Sequence, residues 1–207
     1  MQPSRTAIFL NAFVGLVLFG FIMYPVLSSA QGLRERTMMR KDDMMERMQT
    51  MRMERSEKLE EKRGEWKQRF GKLTDERKAK LAEQLAGQMN SLNERLCNQY
   101  EAFLDRLMAI LGKIETRMAE LTGKDTSSVK AKIDAAKVKI ENTKNAVLVQ
   151  EGKIYDVSFT GEDKVRDAFQ SVKKQMQADH EEMRKQVGEA KKAVQDAFAA
   201  LKTLVTE

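Results

Sequence analysis

The sequence predicts an all-α protein: an elongated antiparallel three-helix bundle with one extended connector, preceded by a charged, methionine-rich helix. Three observations carry this. Both prolines, Pro3 and Pro25, fall in the first 30 residues, so the rest of the chain lacks that helix breaker. Charged residues make up 33% and aromatic residues 6%, the balance of helical bundles and coiled coils rather than of sheets. Apolar residues between Leu81 and Leu121 recur in steps of 4, 4 and 3, an 11-residue period that keeps a stripe on one face of a straight helix.

Residues 1–30 read as a signal peptide. Arg5 gives a short basic start, an apolar run follows from Ala7 to Met23, and Pro25 breaks it. Ser28-Ser29-Ala30 then puts small residues before a cleavage site between Ala30 and Gln31. The competing reading is an N-terminal membrane anchor, because Ala7 to Leu27 gives about 21 residues, enough to span a bilayer. Arg34, Arg36, Arg40 and Lys41 would then hold the following chain in the cytoplasm. Cleavage gives an exported protein of the periplasm or extracellular space.

Residues 31–72 hold 13 Lys/Arg against 9 Asp/Glu, and residues 73–207 hold 23 against 22. Such mixing marks solvated helix faces, and with few aromatic residues for base stacking it argues against nucleic-acid binding. The expected partners are other proteins or a second copy, with a membrane involved only if the N-terminal segment stays attached.

Residues 31–72 form a charged helix expected to be loosely held. Met38, Met39, Met44, Met45, Met48, Met51 and Met53 lie among Arg, Lys, Asp and Glu, with Trp66 and Phe70 the main large groups beyond them. The plainest reading is that methionine is the apolar residue of a marginal helix. A second is an adaptable partner- or client-binding surface of Met38, Met44, Met45, Met48, Met51, Met53 and Trp66. A third is thioether coordination of Cu(I) by Met45, Met48, Met51 and Met53.

Residues 73–207 are expected to form the bundle. Thr74 is placed to cap the long helix, with Asp75 and Glu76 in its first turn and Gly123 beyond its end. Its stripe is Leu81, Leu85, Met89, Leu92, Leu96, Tyr100, Phe103, Leu107, Leu111, Ile114, Met118 and Leu121. Cys97, the single cysteine, excludes an internal disulfide and stands either as a small buried hydrophobe or as a thiol that cross-links two copies. Val129, Ile133, Ala136, Ile140, Thr143 and Val147 follow a heptad. Residues 151–160 do not look helical and read as an extended arm inserting Tyr155, Val157 or Phe159 between helices. The closing helix carries Val165, Phe169, Val172, Met176, His180, Met183, Val187, Ala190, Val194, Phe198, Leu201 and Val205. His180, the single histidine, is expected at the edge of the stripe beside a carboxylate, with Asp179 and Glu181 adjacent; a titrating switch is the alternative.

No Gly-rich phosphate loop, metal-ligand spacing or Gly-x-Ser-x-Gly elbow occurs, so no enzyme, cofactor or catalytic residue is expected.

The signal peptide, Arg/Glu-rich helix, Arg106-Leu107 and Ile114-Glu115-Thr116-Arg117 of the long helix, and Lys/Ala-rich last helix resemble uncharacterised exported coiled-coil-like proteins of candidate-phylum bacteria. That resemblance implies no activity. Leu73-Thr74-Asp75-Glu76-Arg77, after a methionine-rich charged helix, resembles the LTxxQ pattern of the Spy/CpxP periplasmic chaperones and stress sensors, with Arg77 in the glutamine position. It implies a holdase or a stress or metal sensor acting through the methionine-rich segment.

Overall fold

The structure, a computed structural model, describes residues 45–206. The chain divides into two compact units, Met1–Thr50 and Met51–Glu207. Of the first, residues 45–50 are described and are helical.

The second unit is all-α: α1 (51–70), α2 (Glu76–Ala119), α3 (Ser127–Glu151) and α4 (Val165–Thr206), the last entered through a 3₁₀ turn at Glu162–Lys164. No strand occurs among the described residues. The four helices pack together, with α2, α3 and α4 in mutual contact. A break after residue 72 is therefore not where the compact unit begins. Residues 51–70, expected to be loosely held, bury Trp66 and Phe70 and belong with the rest.

Asp75, not Thr74, caps α2: its carboxylate accepts from the backbone N–H groups of Arg77 and Lys78. Thr74 instead hydrogen-bonds Glu162 through both its backbone N–H and its hydroxyl. At the far end Lys124 Nζ reaches the Leu204 carbonyl at 2.6 Å. These two ties set α2 and α4 in the same direction. Lys137–Glu115 and Lys144–Asp105 set α3 in the opposite one. Gly123, with φ of 78°, makes the left-handed turn between α2 and α3 that a side chain would strain.

Two apolar clusters form the core. Leu104, Leu107, Leu111 and Ile114 of α2 meet Ile133 and Ile140 of α3 and Val194 and Leu201 of α4. Trp66 and Phe70 of α1 meet Ala82 and Ala86 of α2 and Val157 of the connector, with Phe159 and Phe169 stacked on Phe70.

The α2 stripe differs from its expected course. From Leu107 onward the buried residues are those expected. Before it, they are Ala82, Ala86, Asn90, Asn93, Cys97 and Leu104, while Leu81 is 54% exposed and Leu85 is also exposed. The buried line is turned by about one residue, some 100° of helix. The reason is local: backbone, not side chains, packs there. The connector of residues 152–161 lies against this half of α2, and only small or amide-bearing residues admit a main chain so closely. On α4, likewise, Ala197 is buried while Phe198 is 56% exposed.

Candidate functional site

Most of the polar residues buried in the second unit, Arg55, Asn90, Asn93, Gln150 and Glu151, converge where α3 ends and the connector begins. A buried non-helical segment has N–H and C=O groups that need partners, since an unpaired one costs about as much as a lost hydrogen bond. Here α2 supplies them. The Asn90 side chain receives the Tyr155 N–H at Oδ1 (2.9 Å) and donates from Nδ2 to the Tyr155 carbonyl (3.1 Å). One amide thus satisfies both backbone groups of one residue, as a neighbouring strand would. Asn93 Nδ2 donates to the carbonyls of Gln150 and Lys153, at 3.1 and 3.3 Å, closing the last turn of α3.

Side chains complete the junction. Gln150 Nε2 donates to Asn93 Oδ1 at 3.0 Å and to Tyr155 Oη at 2.7 Å. Tyr155 Oη donates to Asp179 Oδ2 at 2.7 Å, and Asp179 also pairs with Lys153 at 3.0 Å. From α1, Arg52 bridges Glu151 and Glu101, at 2.9 and 2.8 Å. Arg55 reaches the Asn90 carbonyl and Glu94, each at 3.2 Å. Further along, the Trp66 indole donates to Asp156 at 2.7 Å, and Arg69 holds Asp156 and the Val157 carbonyl.

The electrostatics follow from burial and these partners. Burial, aided by the hydrogen bond to Asp179, raises the Tyr155 phenol well above its ordinary value. Burial pushes the Cys97 thiol up to about 12. Burial opposes ionisation of Asp179 and Asp156. Hydrogen bonds from Tyr155 and Lys153 to the first, and from Trp66 and Arg69 to the second, outweigh it and hold both below the usual carboxylate range. Burial, reinforced by the positive charge of Arg184, depresses His180.

His180 is 2% exposed and tilts against the Tyr100 ring at 6.0 Å, yet neither ring nitrogen has a hydrogen-bond partner. The expected carboxylate partner is not there: Asp179 is held by Tyr155 and Lys153, and Glu181 is exposed.

Trp66, expected on a client surface, is 0% exposed and its one donor is occupied, so it is a core residue. Cys97 is 1% exposed beside Asn93, and a protonated thiol so placed offers no surface sulfur for a cross-link between copies. Met45 and Met53 are exposed, Met48 is half-buried, and Met51 is half-buried near Gly152. Met38, Met44 and the signal-peptide or anchor residues 1–30 lie outside the described residues. Of the centre of the junction, Asn90, Asn93 and Gln150 were not expected as site residues, and Asp179 was expected only as a neighbour of His180. Their signal was two asparagines three apart, each one residue past an apolar position of the stripe, Met89 and Leu92.

Among the described residues, no group of three or more His, Cys, Asp or Glu is placed to hold a metal ion. No described helix is long and apolar enough to cross a membrane. Comparison with protein-family models, with curated proteins and with solved structures found no match.

Proposed function

We propose that this is an exported, non-catalytic structural or interaction protein of the cell envelope, periplasmic or extracellular. In this reading residues 73–207 act as an elongated antiparallel three-helix bundle with one extended connector, and α1 braces its first half. One observation carries the reading: the buried amides and carboxylate at the junction of α3 and the connector are taken up in holding the chain's own backbone and one another, while buried His180 stands apart without a partner. Asn90 and Asn93 clasp the connector and Gln150, Tyr155 and Asp179 lock one another. A catalytic site would instead present a base and a nucleophile to a pocket. A locked connector suits a rigid spacer whose job is done by its surface.

The test is affinity capture from native envelope with the full chain as bait. Stoichiometric retention of a defined protein, or of the chain itself, is expected. Turnover of a substrate class in an activity screen, lost on Tyr155→Phe, would contradict it. N-terminal sequencing of the exported form tests cleavage before Gln31 against retention of residues 7–27 as an anchor.

The exposure of Met45 and Met53 favours a second reading, a holdase of Spy type. It requires that the full chain suppress aggregation of a denatured test protein and that Met45→Ser/Met53→Ser weaken this. A Cu(I) titration of the same pair tests thioether binding by Met45, Met48, Met51 and Met53.

A further inference from the structure

We propose that the outward face shared by α2 and α4 is a docking surface for an anionic lipid bilayer. The proposal is independent of the spacer reading and rests on a segregation of charge that composition conceals.

The face has an apolar line between two basic rows. The line is Leu81, Leu85, Leu92, Leu96, Phe103 and Ile110 of α2, whose steps of 4 and 7 keep it on one side of the helix. Leu81, Leu85 and Ile110 are exposed and the other three half-buried. Tyr100, between Leu96 and Phe103, fixes which side this is, because its ring meets His180 of α4. Along the outer edge of the line run Arg77, Arg95, Arg106 and Lys113, spaced 18, 11 and 7, each a near-whole number of turns. On α4 the matching row is Arg166, Lys173, Arg184, Lys191 and Lys202, spaced 7, 11, 7 and 11. It shares the side of His180, and so borders α2. All nine cations are exposed. None takes part in an ion pair among the described residues. Several positions between them on the same lines are glutamine, Gln84, Gln88 and Gln99 on α2 and Gln177 and Gln195 on α4; Glu181, three residues before Arg184, is the exposed acid beside the α4 row.

The carboxylates that pair with neighbouring elements lie on the other sides. On α2, Glu94 and Glu101 face Arg55 and Arg52 of α1, and Asp105 and Glu115 face Lys144 and Lys137 of α3. On α4, Asp179 and Glu189 face Lys153 and Lys139. Pairing with neighbouring elements thus takes up these six acids on other sides and leaves the nine cations in two rows unpaired among the described residues, although residues 73–207 are nearly neutral in sum.

Charge complementarity selects the occupant. A second copy meeting this face through the same face would set basic rows against basic rows. An acidic helix would need matched acids on both flanks over the full length of the rows, about 54 Å for 36 residues, several times a typical helix of three or four turns. A bilayer of anionic lipid is uniform along that length. It takes a shallow apolar line into the headgroup boundary while the flanking Lys and Arg reach phosphates.

The test measures partition of the full chain onto phosphatidylcholine vesicles with and without one-quarter phosphatidylglycerol, at low salt. The apolar run of residues 7–27 would bind both vesicles alike, so the readout is the ratio of the two partition coefficients. We expect a ratio on the order of ten or more, falling as salt is raised. Lys173→Glu/Lys191→Glu and, separately, Arg95→Glu/Arg106→Glu should bring it near one. Lys130→Glu/Lys132→Glu makes the same charge change on exposed positions of α3 and should leave it unchanged. Circular dichroism checks that each variant is folded, and the variants on two different helices guard against failure of either. A parent ratio of one, or equal loss in the α3 control, would overturn the proposal. So would preferential capture of an acidic amphipathic peptide over vesicles, abolished by the same two variants, which would assign the face to a helical protein partner.

Discussion

Asn90 concentrates the logic of the molecule in one side chain. Its replacement by Leu would keep the branched shape but strip the N–H and C=O of Tyr155 of their partners in a buried place. Two unsatisfied backbone groups cost roughly 2–5 kcal/mol together, so a marked drop in the urea midpoint is expected, with little change in slope. His180 makes the contrary case, a buried polar side chain with nothing to bond. The groups that act on it are Tyr100 on α2, Lys153 on the connector, and Asp179 and Arg184 on α4. Its folded pKa lies below its ordinary value, so as pH falls the unfolded chain takes up the proton first. Stability on this account is full above about pH 6.5 and declines as pH falls through the folded value. His180→Leu should flatten that part of the stability–pH curve and leave stability at pH 7 equal or higher. Urea titrations from pH 7.5 to pH 5 would show it.

At the scale of the element, α2 separates what an apolar pattern reveals from what it hides. Leu107 is buried in the first cluster, and Leu107→Asp should cost several kcal/mol, because a carboxylate would be desolvated without a partner. Leu81→Asp, at an exposed site on the same expected stripe, should change the melting temperature hardly at all. Equal effects in the two variants would mean the helix is turned as periodicity alone suggests. Helix positions, the lack of strands among the described residues and the long core of the second half were legible because they follow from side-chain period and capping. The turn of α2 over residues 82–97 was not. It depends on the connector's backbone seeking hydrogen bonds across the fold, a need that leaves no period in the sequence of α2. The ends of the long helix show the same limit: Asp75 rather than Thr74 became the cap because Thr74 is engaged by Glu162 more than eighty residues away.

At the scale of the whole molecule, α1 belongs to the folded body. Trp66 and Phe70 close the second cluster, and Arg52, Arg55 and Arg69 fasten α1 to α2, to the end of α3 and to the connector. Trp66→Ala should cost about 3–5 kcal/mol, and the indole emission of the parent should be blue-shifted and poorly quenched by acrylamide. Trp66 departs from the candidate surface because composition does not reveal burial: a tryptophan in a charged, glycine-flanked helix gives no sign of the carboxylate that will receive its N–H. The same blindness hid the basic face of α2 and α4, since nearly balanced charge in the sequence becomes segregated charge once Glu94, Glu101, Asp105 and Glu115 are drawn to their partners.

The central claim is that the connector is locked to α2 by its backbone, making one rigid body of four helices. Native-state hydrogen exchange at the Tyr155 amide tests it most directly. If Asn90 holds that N–H, it should exchange only with global unfolding, at the protection of core amides such as Leu107 and Ile140. Exchange at the rate of an open loop, with the helices still protected, would show the connector free and contradict the account.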